Sequence, residues 1–289
     1  MPENQNITRP EDLAHIHNVV FAGGGNRCFW QAGFWESVAE PLKLSPRTLA
    51  SVSAGSAISC AIFSGKVKET VAAAKSTATQ TTTNYQPRNL LRKAPVFPHE
   101  QLYRAIIKKT MTTDAIERLR HGPVNRIQLA RLPAWLGPKS ATVLGLAAYQ
   151  LEKKLREPVH PRMGRKLGFQ SEFREAGHCA TADELADLIL ASSCTPPFTS
   201  LSYLGDAPAL DGGMVDNVPV HGVDETEGPT LVLLTRPYKV LPEIAGRLYV
   251  QPSSKVPVSS WDYTNPKGIQ ATFDQGRRDG EAFVKTFLH

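Results

Sequence analysis

One rhythm stated twice, a short apolar run, a tight loop and then a helix-forming stretch, predicts an α/β fold with a largely parallel sheet. The first is an apolar run at Asn18–Ala22, a glycine loop, and a helix over about Arg27–Glu40. The second is a run at Thr48–Val52, then Ser53, then a helix from Ala54 to Ser64. Regular α/β patterning returns at Thr181, where Thr181-Ala-Asp-Glu184 spells a capping box for a helix Ala182–Ala191. With 289 residues, 41% hydrophobic and 21% charged, the chain is large enough for one sizeable core.

The remaining elements follow from local pattern. Ala72–Asn84 is rich in Ser, Thr and Ala and is compatible with either helix or loop. A strand pair around Leu201–Leu204 and Ala209–Leu210 leads into Asp211-Gly-Gly. Thr230–Leu234 and Arg247–Val250 have the length and apolar character of buried strands, and Gly268–Leu288 has that of a closing helix. Pro87 to Arg174 differs in composition and is punctuated by prolines. Its pieces RIQLARLPAWLG and ATVLGLAAYQLEKKLRE are apolar or amphipathic, flanked by cations, and suit helices packing on the core or lying at an interface.

Charge is segregated. Between Arg88 and Lys166 there are 17 Lys and Arg against 5 Asp and Glu, a local +12 in a chain whose net charge is +6. Such a surface attracts an anionic partner. Few aromatics interleave these cations and no reader motif is present, which points to lipid head groups and not nucleic acid. Cys28, Cys60, Cys179 and Cys194 lack metal-type spacing, so reduced thiols in a reducing compartment are expected. The polar N-terminal stretch MPENQNITRPEDLAHIHN does not have the build of a secretory signal, and no apolar run approaches a membrane span. These features predict a cytoplasmic protein with, at most, peripheral membrane contact through residues 88–166. They leave the oligomeric state open.

Three motifs carry chemistry. Ser51-Val-Ser-Ala-Gly55 centres Ser53 on a strand-to-helix turn, with small residues two positions to each side. Such an elbow lifts the hydroxyl clear of the sheet, and the positive end of the following helix favours developing negative charge there. Ala22-Gly-Gly-Gly-Asn-Arg27 follows a strand and opens a helix, and three successive glycines let amide groups converge on an anion. It has Cys28 where a dinucleotide fingerprint needs glycine and lacks the Gly-Lys of a phosphate loop, so an oxyanion is the better guest. In Leu210-Asp-Gly-Gly213 an apolar strand ends on Asp211 with open backbone beside it; Asp216, followed by Asn217 and Pro219, has the look of a structural turn.

In this order the motifs resemble the patatin-like phospholipase family. Ala191-Ser-Ser-Cys-Thr-Pro-Pro-Phe198 is similar to that family's segment ahead of the aspartate strand, so the resemblance runs from about Val19 to Pro219. It implies a single domain with a doubly wound sheet, a core over about 16–84 and 178–289, and a basic, mostly helical insertion or lid-like region over about 87–175. It implies lipid acyl-ester hydrolysis without cofactor or metal, with Ser53 and Asp211 as a dyad. The Gly23, Gly24, Gly25, Asn26, Arg27 loop would be the oxyanion hole, supported by Gly55, Gly212 and Gly213. Two positions depart from the pattern: Ser51 stands where the elbow normally has glycine, and Cys28 where the loop has one more. None of the eight histidines lies in a triad-like signature. An acyltransferase using the same dyad, and an inactive lipid-binding protein, are the rival readings. Intact Ser53, Asp211 and loop glycines argue against the second.

Overall fold

The computed structural model describes residues 15–288, apart from 92–94, 134, 138–139, 146, 148–157, 162, 225 and 227. The polar stretch up to residue 14 and most of ATVLGLAAYQLEKKLRE lie outside the described residues. The described strands are β1 (Asn18–Phe21), β2 (Thr48–Val52), β3 (Val124–Arg131), β4 (Gln170–Glu175), β5 (Ser202–Leu204), β6 (Ala207–Asp211), β7 (Thr230–Leu233) and β8 (Arg247–Val250). They form one mixed, mostly parallel sheet flanked by helices. Its path is β5-β6-β3-β2-β1-β7-β8, with β4 paired to β3. The run β3-β2-β1-β7-β8 is parallel throughout; β4 and β6 pair with β3 antiparallel, and β5 with β6 likewise.

Strands β1, β2 and β7 are buried at every position, which is why they read as unbroken apolar runs without alternation. One face of the sheet, through Phe21, Leu49, Leu231 and Leu233, packs on α1 (Phe29–Val38) and α7 (Pro266–Leu288). Further along that face, Ile127 and Leu129 meet α2 (Ala54–Phe63), α4 (His99–Thr110), α5 (Thr113–His121) and α6 (Ala182–Ser192). α3 (Val67–Gln80) settles the open reading of Ala72–Asn84 as helix as far as Gln80, its Val71, Ala74 and Ala78 packing on Ile58 and Ile106. The opposite face is covered by Val218, Val220 and Val223, from a loop and the short 3-10 turn Val220–Gly222.

The basic middle needs a correction. RIQLARLPAWLG was expected as a helical or interfacial piece of an insertion, yet Arg126–Arg131 belongs to β3, the strand that joins the parallel and antiparallel parts of the sheet. Local pattern misleads here because two polar residues are buried inside the strand. Asn125 Oδ1 accepts from Ser51 Oγ at 2.9 Å and its Nδ2 donates to Ser59 at 2.8 Å. Gln128, fully buried, donates to two carbonyls, of Gly212 and Asp216. Each buried polar group is satisfied, which is the condition for keeping it in a sheet core.

The segregated charge partly folds against itself. Arg104 of α4 pairs with Asp187 at 2.6 Å, Lys108 with Asp183 at 2.7 Å, and Arg131 with Glu172 at 2.5 Å. The α6 cap has Thr181 Oγ1 accepting the Glu184 amide, while Glu184 reaches back to the Ala180 amide. No helix among the described residues is long and apolar enough to cross a membrane.

Candidate active site

The site is made by a property of β3. Residues 126–128 pair with both β2 and β4, and residues 129–131 with both β6 and β4. A strand has two edges, so β2 and β6 must share one edge, one behind the other. They run in opposite directions and their C-terminal ends meet: Val52 is opposite Gln128, and Asp211 is opposite the next residue, Leu129. Ser53, just past the end of β2, is thereby brought to Asp211 across 158 positions of sequence, its Oγ donating to Asp211 Oδ2 at 2.9 Å.

Ser53 has φ 53° and ψ −134°, a backbone conformation that a side-chain-bearing residue adopts only under constraint, at a cost on the order of 1–3 kcal/mol. The constraint is visible. Its amide donates to Ser192 Oγ at 2.8 Å, and Ser192 Oγ donates in turn to the Gln128 carbonyl at 2.7 Å. The elbow also depends on Gly55, because a Cβ there would lie 2.6 Å from the Ala22 carbonyl oxygen. Ser192→Ala leaves the Ser53 amide unpaired in a buried place. The expected result is a fall in kcat of about tenfold with KM little changed, read from steady-state ester hydrolysis; an unchanged kcat would remove Ser192 from the account.

Asp211 also accepts the Gly213 amide at 2.7 Å and the Thr195 hydroxyl at 3.4 Å. Burial pushes its carboxyl up to about 6, against the opposing pull of the hydrogen bonds from Gly213, Ser53 and Thr195. A carboxylate so placed is a better proton acceptor than a solvated one.

The glycine loop contributes less than its length suggests. The Gly23 amide is spent on the Asn217 carbonyl, the Asn26 amide on Ser260, and the Arg27 amide on Gly24. Among the described residues no acceptor meets the amides of Gly24 and Gly25, and both glycines line the cleft with Ser53 and Asp211. Of the five loop residues expected from sequence, only Gly24 and Gly25 keep amides without an acceptor, because a loop held in one shape spends the others on holding it. Gly25 has φ +58°, and a Cβ there would overlap the Ser260 carbonyl oxygen at 2.1 Å. A 3-10 turn over Gly25–Cys28 continues the loop, so the helix starts at Phe29 and not at Arg27. Arg27 Nε donates to the Gly24 carbonyl at 3.1 Å, and Asn217 and Thr235 both donate to that of Gly23 at 2.9 Å.

Both departures from the family pattern are absorbed by the scaffold. Ser51 is fully buried, its hydroxyl held by Asn125 on the neighbouring strand. Cys28 is buried too, and burial pushes its thiol up to about 12, so it stays protonated and unreactive. Asp216 is indeed a turn-former, accepting the Val218 amide at 2.9 Å, and it also holds His160 Nδ1 at 3.0 Å. Sequence reasoning missed the roles of Ser192, Thr195, Gln128 and Asn217. Ser192, Thr195 and Asn217 sit in segments that carried a signal; Gln128 has none in its own neighbourhood.

The cleft around Ser53 and Asp211 has a volume of about 280 Å³, and Pro197, Phe198 and Trp261 are among the residues that line it. The patatin-like phospholipase model matches residues 19–224. The chain belongs to that family. Membership makes it a relative of lipid acyl hydrolases, and all the motif residues named above fall inside the matched span. No curated protein sequence matches the chain. Among solved structures, VipD from Legionella pneumophila aligns with a TM-score of 0.47 at 11% identity, covering 99% of this chain and 72% of that one.

Proposed function

We propose that this patatin-like chain is a serine carboxylic-ester hydrolase acting on lipid acyl esters. The observation that carries the reading is the 2.9 Å hydrogen bond from Ser53 Oγ to a buried aspartate beside two unengaged amides in one cleft. Asp211 Oδ2 takes the Ser53 proton as Oγ attacks the ester carbonyl. The oxyanion lies against the Gly24 and Gly25 amides, an interaction worth about 3 kcal/mol per well-aimed donor. Collapse of the tetrahedral intermediate breaks the C–O bond to the alcohol, which leaves with the proton held by Asp211. Water then repeats the sequence on the acyl-enzyme, with Asp211 taking its proton and returning it to Ser53.

The test is a fluorophosphonate probe, with a panel of defined phospholipids, lysophospholipids and neutral esters. Labelling of the wild type, its loss in Ser53→Ala, and release of free fatty acid are the expected results. A wild type that neither labels nor releases fatty acid would leave the chain a lipid-binding protein.

A further inference from the structure

The end of the basic middle is packed on the turn that follows Asp211. A Cβ on Gly164, in the short helical turn Met163–Lys166, would stand 1.9 Å from the Met214 carbonyl oxygen, so the two backbones touch. Nearby, Val159 joins Val218 and Tyr249 in one apolar cluster, with the His160 ring edge-on to that of Tyr249.

His160 is hydrogen-bonded at both ring nitrogens. Nδ1 lies 3.0 and 3.2 Å from the two Asp216 carboxylate oxygens, which only accept, so Nδ1 carries a proton and donates. Nε2 lies 2.9 Å from the Tyr249 hydroxyl. Asp216 is 2% exposed, and a carboxylate so buried is kept in place by its donors. Its Oδ1 also accepts the Val218 amide at 2.9 Å. Among the described residues Oδ2 has no hydrogen bond but that from His160. The Arg165 guanidinium stands 3.8 Å from it, beyond hydrogen-bond reach.

The next residue anchors the glycine loop. Asn217 takes the Gly23 amide on its carbonyl at 3.0 Å and returns its side-chain amide to the Gly23 carbonyl at 2.9 Å. Thr235 shares that carbonyl, but among the described residues the Gly23 amide has Asn217 alone. The bond from the Val218 amide to Asp216 closes the turn that presents Asn217 in this pose. We propose that His160 is a positioning residue for ester hydrolysis: by holding Asp216 it fixes Asn217, and so aims the Gly24 and Gly25 amides at the oxyanion. This rests on the reading of those two amides as the oxyanion site. Without the imidazole, Asp216 Oδ2 is buried and unpaired, and it is relieved by turning towards Arg165 or solvent. Either turn opens the bond to Val218 and frees Gly23 to shift. A displacement of about 1 Å at such donors is enough to lower the rate up to about a hundredfold.

Three substitutions separate this from a purely structural role. In His160→Asn the amide nitrogen falls where Nδ1 stands and donates to Asp216 without reaching Tyr249; in His160→Gln the amide falls near Nε2 and does the reverse. His160→Ala is expected to lower kcat for p-nitrophenyl butyrate about ten- to a hundredfold with KM within about twofold. It should also speed amide hydrogen exchange in a peptide spanning Gly23–Arg27 at least about fivefold, with exchange in α7 unchanged. His160→Asn should restore both readouts and His160→Gln neither. Should the Ala variant fail to fold, the Asn and Gln pair decides. Loop exchange that is unchanged, or raised equally in α7, overturns the proposal. So does Gln restoring as well as Asn, or an unchanged kcat beside a loosened loop. If the wild type cleaves no ester while the loop exchanges faster in Ala and Gln than in Asn and wild type, the hydrolase reading falls and the hold of His160 on the loop stands.

Discussion

Asp211→Asn is expected to lower kcat by at least about a thousandfold, because an amide cannot take the Ser53 proton and members of a nucleophile–base pair act as one unit. In the wild type, kcat/KM should rise about tenfold per pH unit below about 6 and level off above it, since burial places the Asp211 carboxyl near 6 and only its ionised form is a base. The same shift has an opposite consequence for stability. A carboxyl whose folded-state pKa lies above its unfolded value of 3.8 is costly to ionise in the folded protein. That cost is absent in acid, sets in between pH 4 and pH 6, and persists above. With a shift from 3.8 to about 6, the full cost is roughly 2–3 kcal/mol. The inactive Asp211→Asn protein should therefore be more stable than wild type at pH 7.5, by roughly 1–3 kcal/mol in urea denaturation, and should lose the advantage at pH 4. An Asn variant that gains nothing at neutral pH would mean that Asp211 is not desolvated as described.

Gln128→Leu should destabilise the protein measurably. Gln128 is fully buried, and its Nε2 donates to the Gly212 carbonyl at 2.8 Å and the Asp216 carbonyl at 2.7 Å. Its Oε1 accepts from Ser171. Leucine matches its bulk but leaves the Asp216 carbonyl without its donor, while the Gly212 carbonyl keeps the Val215 and Asp216 amides and the exposed Ser171 hydroxyl turns to water, so the expected loss is about 1–3 kcal/mol of stability. Activity should fall as well, because both carbonyls that Gln128 holds belong to the turn that follows Asp211 directly. The urea midpoint, with kcat measured well below it, separates the two effects. A loss of under about 1 kcal/mol would show that water replaces the side chain at no great cost.

The parts of this molecule legible in sequence are those whose physics is local. An elbow serine between small residues, a run of glycines after a strand and an Asp-Gly-Gly turn are demands on five or six consecutive residues, and each stands where its motif put it. β1, β2, α2 and the helix at Thr181 were legible for the same reason, with boundaries within a few residues. β3 was not: its buried Asn125 and Gln128 and its terminal arginines hide a sheet strand behind polar residues whose side-chain partners lie 43 to 88 positions away.

Ser53, Asp211 and the glycine loop were thus determined as residue types by sequence alone, since backbone conformation and chemistry restrict what can stand there. Tertiary structure decided how they are used. Two strands laid end to end along one edge of β3 bring Ser53 within 2.9 Å of Asp211. Burial then sets the basicity of that aspartate, and the hydrogen bonds that hold the loop leave two of its amides, at Gly24 and Gly25, without an acceptor. Those outcomes depend on desolvation and on partners distant in the chain, which no local pattern encodes.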